Sequence, residues 1–454
     1  MHIVVCVKIV HGECNPFDGT ALEAALRIDD AQITVLCMGP LSVLPGLKTL
    51  TRTATFRTVL LCDDLYAGSD TLATSRILAR AIERLAPDLV FCGRQSIDGE
   101  TAQVGPCLAT LLNYSFIGNV MQFGLEECET RNGRERVVPP SLLTFELIHA
   151  LRFPSLHIPA GKVELWDNSL VGVHLLHCGL AGSPTRVIKT FESERGRRNC
   201  QYIERAQLEP LLDELKRQPR IPMPTKQPAA ANRFPEIWTV GDEVSEIASS
   251  IAENVVVIPK TTAEVIADKV RRHRPAVLLW NADLWGRNTA PQVAALLETG
   301  LCADCTSLEV VNEETELTLN MFRPALEGSV MAQVRCRTRP IMATVRIPKS
   351  GSGLVIGCGR GAAACFDKVK HFAEQCGAEL CASRGLVDMG IAPYEMQVGL
   401  TGKHISPDIY LAVGISGSVQ HLCAVETART IIAVNPDRNA RIFDYADYGI
   451  VDAF

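Results

Sequence analysis

The sequence predicts an α/β protein made of three doubly wound units. Three observations carry that prediction. Short apolar runs of strand length recur along the chain, with helix-periodic stretches between them. The runs are apolar throughout, as strands covered on both faces by helices are. A segment over 216–236 with five prolines and no amphipathic period separates the first series of runs from the rest.

The elements follow in order. HIVVCVKIV (2–10) is β-rich, and Ala21, Leu22, Ala25 and Leu26 share one face of a helix over 19–29. ITVLCMGP (33–40) is a strand closed by Gly-Pro, and TVLLCDD (58–64) and DLVFCG (88–93) are further strands. Helices are expected over 70–86 and 101–113. A second series has strands at NVVVIP (254–259) and AVLLWN (276–281). A third starts near 348, with strands LVIGCG (354–359), IYLAVGI (409–415) and TIIAVN (430–435) and a helix over 361–375. The boundaries that follow are 1–215, a linker at 216–236, 237–347 and 348–454, with IPKSGS (347–352) as a hinge before the last domain.

Composition narrows the function. The net charge of −6 offers no global positive field for nucleic acid or acidic membrane surfaces. The cluster Arg195, Arg197, Arg198 reads as a solvated loop. No apolar stretch reaches the length of about 18 residues that a membrane helix needs, and the opening residues do not read as a secretory signal. Direct membrane insertion is therefore not expected. Seventeen cysteines without a regular framework read as reduced, mostly buried thiols of a cytoplasmic protein. Cys302 and Cys305 have CxxC spacing, but no second pair completes a zinc-ligand set.

Two glycine turns attract attention. CGRG (358–361) and GISGS (414–418) each follow a strand and open a helix, the arrangement that turns backbone N–H groups and a helix dipole towards a phosphate. Such turns at the carboxyl ends of parallel strands suit a nucleotide crevice. Between and around them runs CASRGLVDMGIAPYEMQVGLTGKHISPDIYLAVGISGSVQHLCAVETARTIIAVN (381–435), followed by DYADYGIV (444–451). This stretch resembles the alpha subunit of electron transfer flavoproteins, with its GASR-like turn, QVG-TGK, LY-A-GISG--QH and I-A-N elements in order.

The resemblance implies a Rossmann-like FAD domain at the C-terminus. It implies that Arg384 lies by the flavin ring, that Thr401 hydrogen-bonds near N5, and that His421 donates at the C2 carbonyl edge. Ser383, Gln397, Val398, Gly399, Gly414, Ser416, Gly417 and Gln420 would sit in the same binding turns. Gly359, Arg360 and Gly361 would face the phosphates, and Asn435 and Asp452 the adenosine end. Two features depart from the family pattern. AAACFDK (362–368) stands where the family has an acidic-Asn pair, and the ending GIVDAF leaves the register of Asp452 open by one residue.

The resemblance extends upstream. NADLWGRNTAPQVAALLETGLCADCTSLEV and MFRPALEGSVMAQVRCRTRPIMATVR, within 281–346, match the alpha subunit's first domain, with Arg323 and Pro324 in its RPA element. That domain's first strand and helix look missing, so residues 237–258 are expected to enter it part-way. NPFDGTALEAALRI (15–28) and GRQSIDGETAQVGPCLATLLN (93–113) are similar to the beta subunit. The first two units are accordingly expected to be adenine-nucleotide-hydrolase-like. Beta subunits hold AMP or a second FAD. The DGETAQVGP run (98–106) and the later GSPT (182–185) resemble the FixA-like and electron-bifurcating groups and favour FAD over AMP. Thr101, Ala102, Gln103, Val104 and Gly105 are the contacts expected; the plain alternative is a helix N-terminus capped by Thr101. LRFPSLHIP (151–159) partly matches the loop that docks acyl-CoA dehydrogenases, with Ala160-Gly161-Lys162 in place of a Lys-rich stretch.

Together these imply a natural beta–alpha fusion that carries electrons through FAD. The donor would be NADH or another reductant, and the partner an acyl-CoA dehydrogenase-like or quinone-linked oxidoreductase. Bifurcation becomes an option if a second FAD is held. The alternative is a nucleotide-binding scaffold without redox activity. No acid, base or nucleophile constellation suggests direct chemistry on a small substrate.

Overall fold

In the computed structural model the described residues are 1–192, 198–217, 232–313, 316–326, 330–347, 353–399, 402–403, 405–422, 424–425 and 428–454. The chain divides into two compact bodies. One holds Met1–Thr190, Pro228–Leu326 and Ala332–Val345; the other holds Phe191–Gln227, Glu327–Met331 and Arg346–Phe454. Two of the three αβ units thus share one body. The tail after Thr190, assigned from sequence to the first domain as far as 215, belongs to the second.

The first body contains a nine-stranded sheet. Its parallel part runs Val163–Trp166, Arg57–Leu61, Gln32–Met38, His2–Val7, Leu89–Gly93, Ser141–Phe145, Ser115–Gln122, and an antiparallel hairpin (Glu127–Thr130, Gly133–Arg136) completes the edge. Because successive side chains alternate faces, each strand feeds two cores. Ile3, Val5, Val35 and Phe91 pack on one side with Leu22 and Ala25 of helix Pro16–Leu26. Val4, Leu36, Val59 and Val90 pack on the other with Ile77, Leu78 and Ile82 of helix Thr71–Leu85. Asp70 caps that helix by accepting the Ala73 N–H at 3.0 Å.

The same body carries a second, five-stranded parallel sheet in the order Ala252–Ile258, Phe234–Val240, Val277–Asn281, Ile341–Val345, Leu301–Cys305. Its connectivity repeats that of the first sheet. The opening strand is central, the next strand lies on one side, and the third starts the other. A first strand (Phe234–Val240) and first helix (Ser245–Ile251) are therefore present, contrary to the part-way entry expected over 237–258. Among the described residues the second sheet stops at Ala252–Ile258 on that side, with no counterparts of the outer strands Arg57–Leu61 and Val163–Trp166.

The two sheets are tied together within this body. Helix Val104–Leu112 packs against helix Leu284–Leu297, the Asn288 amide donates to Asn119 Oδ1 at 3.1 Å, and the Cys107 thiol donates to the Pro291 carbonyl at 3.2 Å. Beneath the Asn pair lies a buried ionic cluster. Glu146 accepts from Asn119 at 2.8 Å and faces Arg131 Nε at 2.8 Å and Arg94 Nε at 3.3 Å. Burial works against the Glu146 charge, but Arg94, Arg131 and the Asn119 amide together more than offset it and hold the carboxyl below its ordinary range.

The second body is a six-stranded parallel sheet ordered Gln201–Tyr202, Tyr448–Ile450, Thr430–Val434, Ile409–Val413, Leu354–Cys358, Glu379–Ala382. Helix Leu208–Arg217 covers one face through Leu208 and Leu212, which join Ile356, Leu411 and Ile432 in the core. The segment after Cys358 is a 3-10 turn over Arg360–Cys365, and the α-helix starts only at Phe366, five residues later than expected. The hinge candidate (347–352) lies outside the described residues apart from Ile347, and most of the linker (218–231) lies outside them too. No described helix is long and apolar enough to cross a membrane.

Candidate functional site

The carboxyl edge of the second body's sheet gathers nearly all of the C-terminal residues predicted from sequence. The strand order reverses between Leu354–Cys358 and Ile409–Val413, the place where an open α/β sheet leaves a crevice for a ligand. Gly359 and Gly414 follow these two strands. Their turns close backbone on backbone: the Gly359 amide donates to the Val413 carbonyl at 2.8 Å, Gly361 to Gly414 at 3.0 Å, and Gly414 to Val434 at 2.9 Å. A Cβ on Gly359 would strike the Gly414 carbonyl, and one on Gly414 (φ +63) the Ala362 amide. Gly417 (φ +85) passes equally close to the Ile442 amide. These glycines shape the crevice, and their amides at 359, 361 and 414 are engaged within the protein.

What the edge presents outward is polar and cationic. Arg360 and Ser416 are exposed, and Arg384 is half-buried with its Nε 3.4 Å from Asp388. Ser383, whose amide donates to the Cys358 carbonyl at 2.8 Å, precedes the short helix Arg384–Asp388. Gln397 and Val398 are buried, and Gly399 sits at φ +150. Gln420 is half-buried in the four-residue helix Val419–Leu422. Asn435 is buried; its amide donates to the Ile415 carbonyl at 2.9 Å and its Oδ1 accepts the Asp437 N–H, so it braces the GISG turn from behind. Asp452 is exposed beyond the last strand and caps the Ala453 amide at 2.8 Å. Thr401 lies outside the described residues.

His421 is buried in the same short helix. It is 4% exposed, with Nδ1 3.1 Å from the Val398 carbonyl and Nε2 2.6 Å from the Tyr410 hydroxyl. Burial presses its pKa down to about 4, the Val398 carbonyl offsetting only part of that. A neutral imidazole has one N–H, and the carbonyl can only accept. With both contacts made by a neutral ring, Nδ1 carries the proton and Tyr410 donates to Nε2.

The first body contains a cavity of about 800 Å³, well within the range of nucleotide-sized sites. All five residues predicted from sequence line it: Thr101, Ala102, Gln103, Val104 and Gly105. The helix starts at Val104, and its N-cap is Gln103, not Thr101. Residues 100 and 102 cannot be helical because both have φ +53. Gln103 is a tie as much as a lining residue: its Oε1 accepts the Thr71 hydroxyl at 2.6 Å and its Nε2 donates to the Leu301 carbonyl at 3.0 Å.

Sequence reasoning missed most of the charged lining. Lys8, Asp18, Asp70, Arg94, Arg186 and Arg323 all border the cavity. Asp18 is the best placed to matter. Its two oxygens accept the Lys8 amide at 2.8 Å and the Gly93 amide at 3.1 Å, so it staples together the ends of two strands. Burial pushes its pKa up to about 7, with those amides, Asn15 and Lys8 offsetting only part. Arg323, from the second sheet's half, donates to the Gly99 carbonyl at 2.9 Å and the Glu100 carbonyl at 3.2 Å, gripping the turn ahead of Thr101. Asp18, Arg94 and Arg323 had a local signal, since all three lie inside motifs already singled out. The CxxC pair, Cys302 and Cys305, is buried in the strand Leu301–Cys305, and no three His, Cys, Asp or Glu among the described residues are grouped to hold a metal ion.

Comparison with known proteins bears on both bodies. Residues 350–426 match the electron transfer flavoprotein FAD-binding domain, and residues 3–140 and 248–348 match the electron transfer flavoprotein domain. The chain is 34% identical over 235 residues to electron transfer flavoprotein subunit alpha of Thermoanaerobacterium thermosaccharolyticum, covering 42% of this chain and 70% of that one. It is 35% identical over 270 residues to Protein FixA of Azorhizobium caulinodans, covering 49% of this chain and 96% of that one. It is 31% identical over 295 residues to acryloyl-CoA reductase electron transfer subunit beta of Anaerotignum propionicum, covering 46% and 80%.

Proposed function

This chain belongs to the electron transfer flavoprotein family, and from that membership we propose that it is a beta–alpha fusion carrying electrons through FAD between a reduced donor and a partner oxidoreductase. The observation that carries the reading is the pairing of two partial matches. One relative, FixA, is covered almost end to end by about half of this chain, and an alpha subunit is matched over a comparable share. On this reading residues 1–190 form the beta-type domain, 232–345 the alpha-type first domain, and the second body the FAD domain. Fusion holds the two types at fixed stoichiometry and raises the effective concentration of each for the other.

The C-terminal crevice fits FAD. Glycines at 359, 414 and 417 let the turns pack backbone on backbone and so shape the crevice, and the exposed Arg360 is available as counter-charge to a pyrophosphate. FAD supplies one- and two-electron redox chemistry when bound. Arg384 is the cation available to stabilise negative charge on the ring, Ser383 and Ser416 are available hydroxyls, and Asn435 keeps the GISG turn in shape.

The first body's cavity takes an adenine nucleotide in this reading, FAD in preference to AMP. Its support is the volume, the convergence of the N-terminal ends of helices Thr71–Leu85 and Val104–Leu112, and the lining cations Lys8, Arg94 and Arg323. With FAD there, NADH becomes the candidate donor and bifurcation the candidate mode. The partner, of acyl-CoA dehydrogenase-like or quinone-linked type, would meet the segment 151–159, where Phe153 is 93% and Leu156 89% exposed. Sixteen described cysteines are free thiols, which suits a reducing, cytoplasmic setting.

The test is the nucleotide content of the purified chain, from absorbance and identification of what denaturation releases. Two FAD per chain supports the two-flavin carrier and calls for NADH titration. One FAD with one AMP reduces it to a single-flavin carrier. No flavin after reconstitution overturns the redox reading in favour of a scaffold.

A further inference from the structure

Cys6 and Cys92 are register partners on the neighbouring parallel strands His2–Val7 and Leu89–Gly93. Neighbouring strands lie about 4.8 Å apart, inside the roughly 4.4–6.8 Å between Cα atoms that a disulfide spans. Both side chains are on one face of the sheet, in the core that packs on helix Thr71–Leu85. The two thiols meet there: contact with Cys6, and after it burial, pushes the Cys92 thiol well above its ordinary range. Both cysteines are buried, and both border the first body's cavity, which is therefore the route by which a small reagent reaches them. The strand ends they occupy are fixed, since Asp18 holds the Lys8 and Gly93 amides at 2.8 and 3.1 Å. The CxxC pair is less well placed. Of its two residues Cys302 alone borders the cavity, and the Cys305 thiol donates to the Cys302 backbone carbonyl at 3.7 Å.

Resting on the reading of this cavity as a nucleotide site, we propose that Cys6 and Cys92 are an oxidisable dithiol in its wall. Hydrogen peroxide entering through the cavity converts the pair to a disulfide, and a bound nucleotide shields it. The Cys6 sulfur, as thiolate, attacks one peroxide oxygen. An S–O bond forms, the O–O bond breaks, and the departing hydroxide takes up the released proton and leaves as water. The Cys92 sulfur then displaces the oxygen on Cys6: the S–S bond forms, the S–O bond breaks, and a second water carries off the remaining protons. Two thiols and one peroxide thus give one disulfide and two waters, with two electrons passing from sulfur to the peroxide oxygens. Cys92 takes the second step because it is the thiol held protonated by its neighbour and by burial.

The experiment is peroxide oxidation of the full chain, stripped of nucleotide and then reloaded with AMP or with FAD. Remaining thiols are alkylated, and the bridges are located by peptide mass mapping. The expected result in the stripped chain is one bridge forming ahead of any other, between Cys6 and Cys92, reversed by dithiothreitol and absent in Cys6→Ala. Nucleotide at about ten times its Kd leaves about a tenth of the cavities open, so bridging should slow about tenfold. No bridge between Cys6 and Cys92 in the stripped wild type, or prior bridging of Cys302 to Cys305 or of scattered cysteines, overturns the proposal. This outcome is read on wild type and does not depend on the variant's folding. An unchanged bridging rate with AMP or a second FAD bound also overturns it. Failure of the nucleotide reading is separately visible as no uptake of AMP or of a second FAD, and the map of the stripped chain still decides the dithiol.

Discussion

Gln103→Leu separates two roles that one residue has been given. If Gln103 mainly contacts a nucleotide, its loss weakens binding and leaves the empty protein alone. The structure argues otherwise. Gln103 is 2% exposed and links helix Thr71–Leu85 to strand Leu301–Cys305, across the two halves of the first body. Two neutral hydrogen bonds contribute about 1 kcal/mol each, and the buried Leu301 carbonyl loses its side-chain donor, which adds to the cost. Leucine fills most of the volume, so the cavity contribution is small. The sum is roughly 2–3 kcal/mol. With a urea slope of about 3 kcal/mol/M, the unfolding midpoint of the first body should fall by roughly 0.7–1 M without any nucleotide present. Gln103→Glu refines the test, because a carboxylate keeps the Thr71 bond but cannot donate to Leu301. It should fall at least as far. A nucleotide-free midpoint within about 0.2 M of wild type for both variants would refute the reasoning and return Gln103 to the role of a plain ligand contact.

Two other outcomes are expected. Gly414→Ala places a Cβ against the Ala362 amide at a residue with φ +63; the left-handed conformation alone costs about 1–2 kcal/mol. FAD stoichiometry after reconstitution should drop sharply while the first body unfolds as before, and full stoichiometry would count against the turn's role. Asp18 has its folded pKa raised to about 7 from 3.8. Between these values the native state keeps a proton that the unfolded state has released, so this group makes stability fall as pH rises through the window. The slope is at most about 1.4 kcal/mol per pH unit. Asp18→Asn should flatten that slope. Parallel urea midpoints for wild type and variant from pH 4.5 to 7.5 would show that Asp18 does not titrate there.

Most strands were legible because a fully covered parallel strand must be apolar on both faces, and HIVVCV, LVFCG and IYLAV have few other uses. Phe234–Val240 escaped for a physical reason. It begins FPE, with Pro235 and Glu236 exposed, at the end of a proline-rich segment. Its local chemistry reads as linker until Trp238–Val240 pair with Leu278–Trp280. The tail 198–215, read with the first domain, clusters with the second body for a related reason. The spacing of Leu208 and Leu212 announces a buried stripe, but not which core receives it. The helix expected over 101–113 starts at Val104 because Glu100 and Ala102 take positive φ, a conformation neither residue advertises.

The site residues divide along the same line. A glycine's role depends on its own backbone and immediate surroundings, so the turns at 359, 414 and 417 could be located from sequence. The role of an amide or imidazole depends on partners distant in sequence. Asn435 reaches Ile415, Gln103 reaches Leu301 and His421 reaches Tyr410 and Val398; all three are engaged inside the protein. A hydrogen bond already made to the protein cannot also be offered to a ligand, because each donor proton serves essentially one strong acceptor. Residues of a binding motif are therefore of two kinds, those that build the turn and those that face outward from it. At the C-terminal edge Arg360 and Ser416 are exposed and Arg384 half-buried, while Asn435 is buried and braces the turn. On the proposed reading, the guanidiniums are the groups available to charge on a bound flavin, and substitutions at Asn435 should act first on whether the crevice forms.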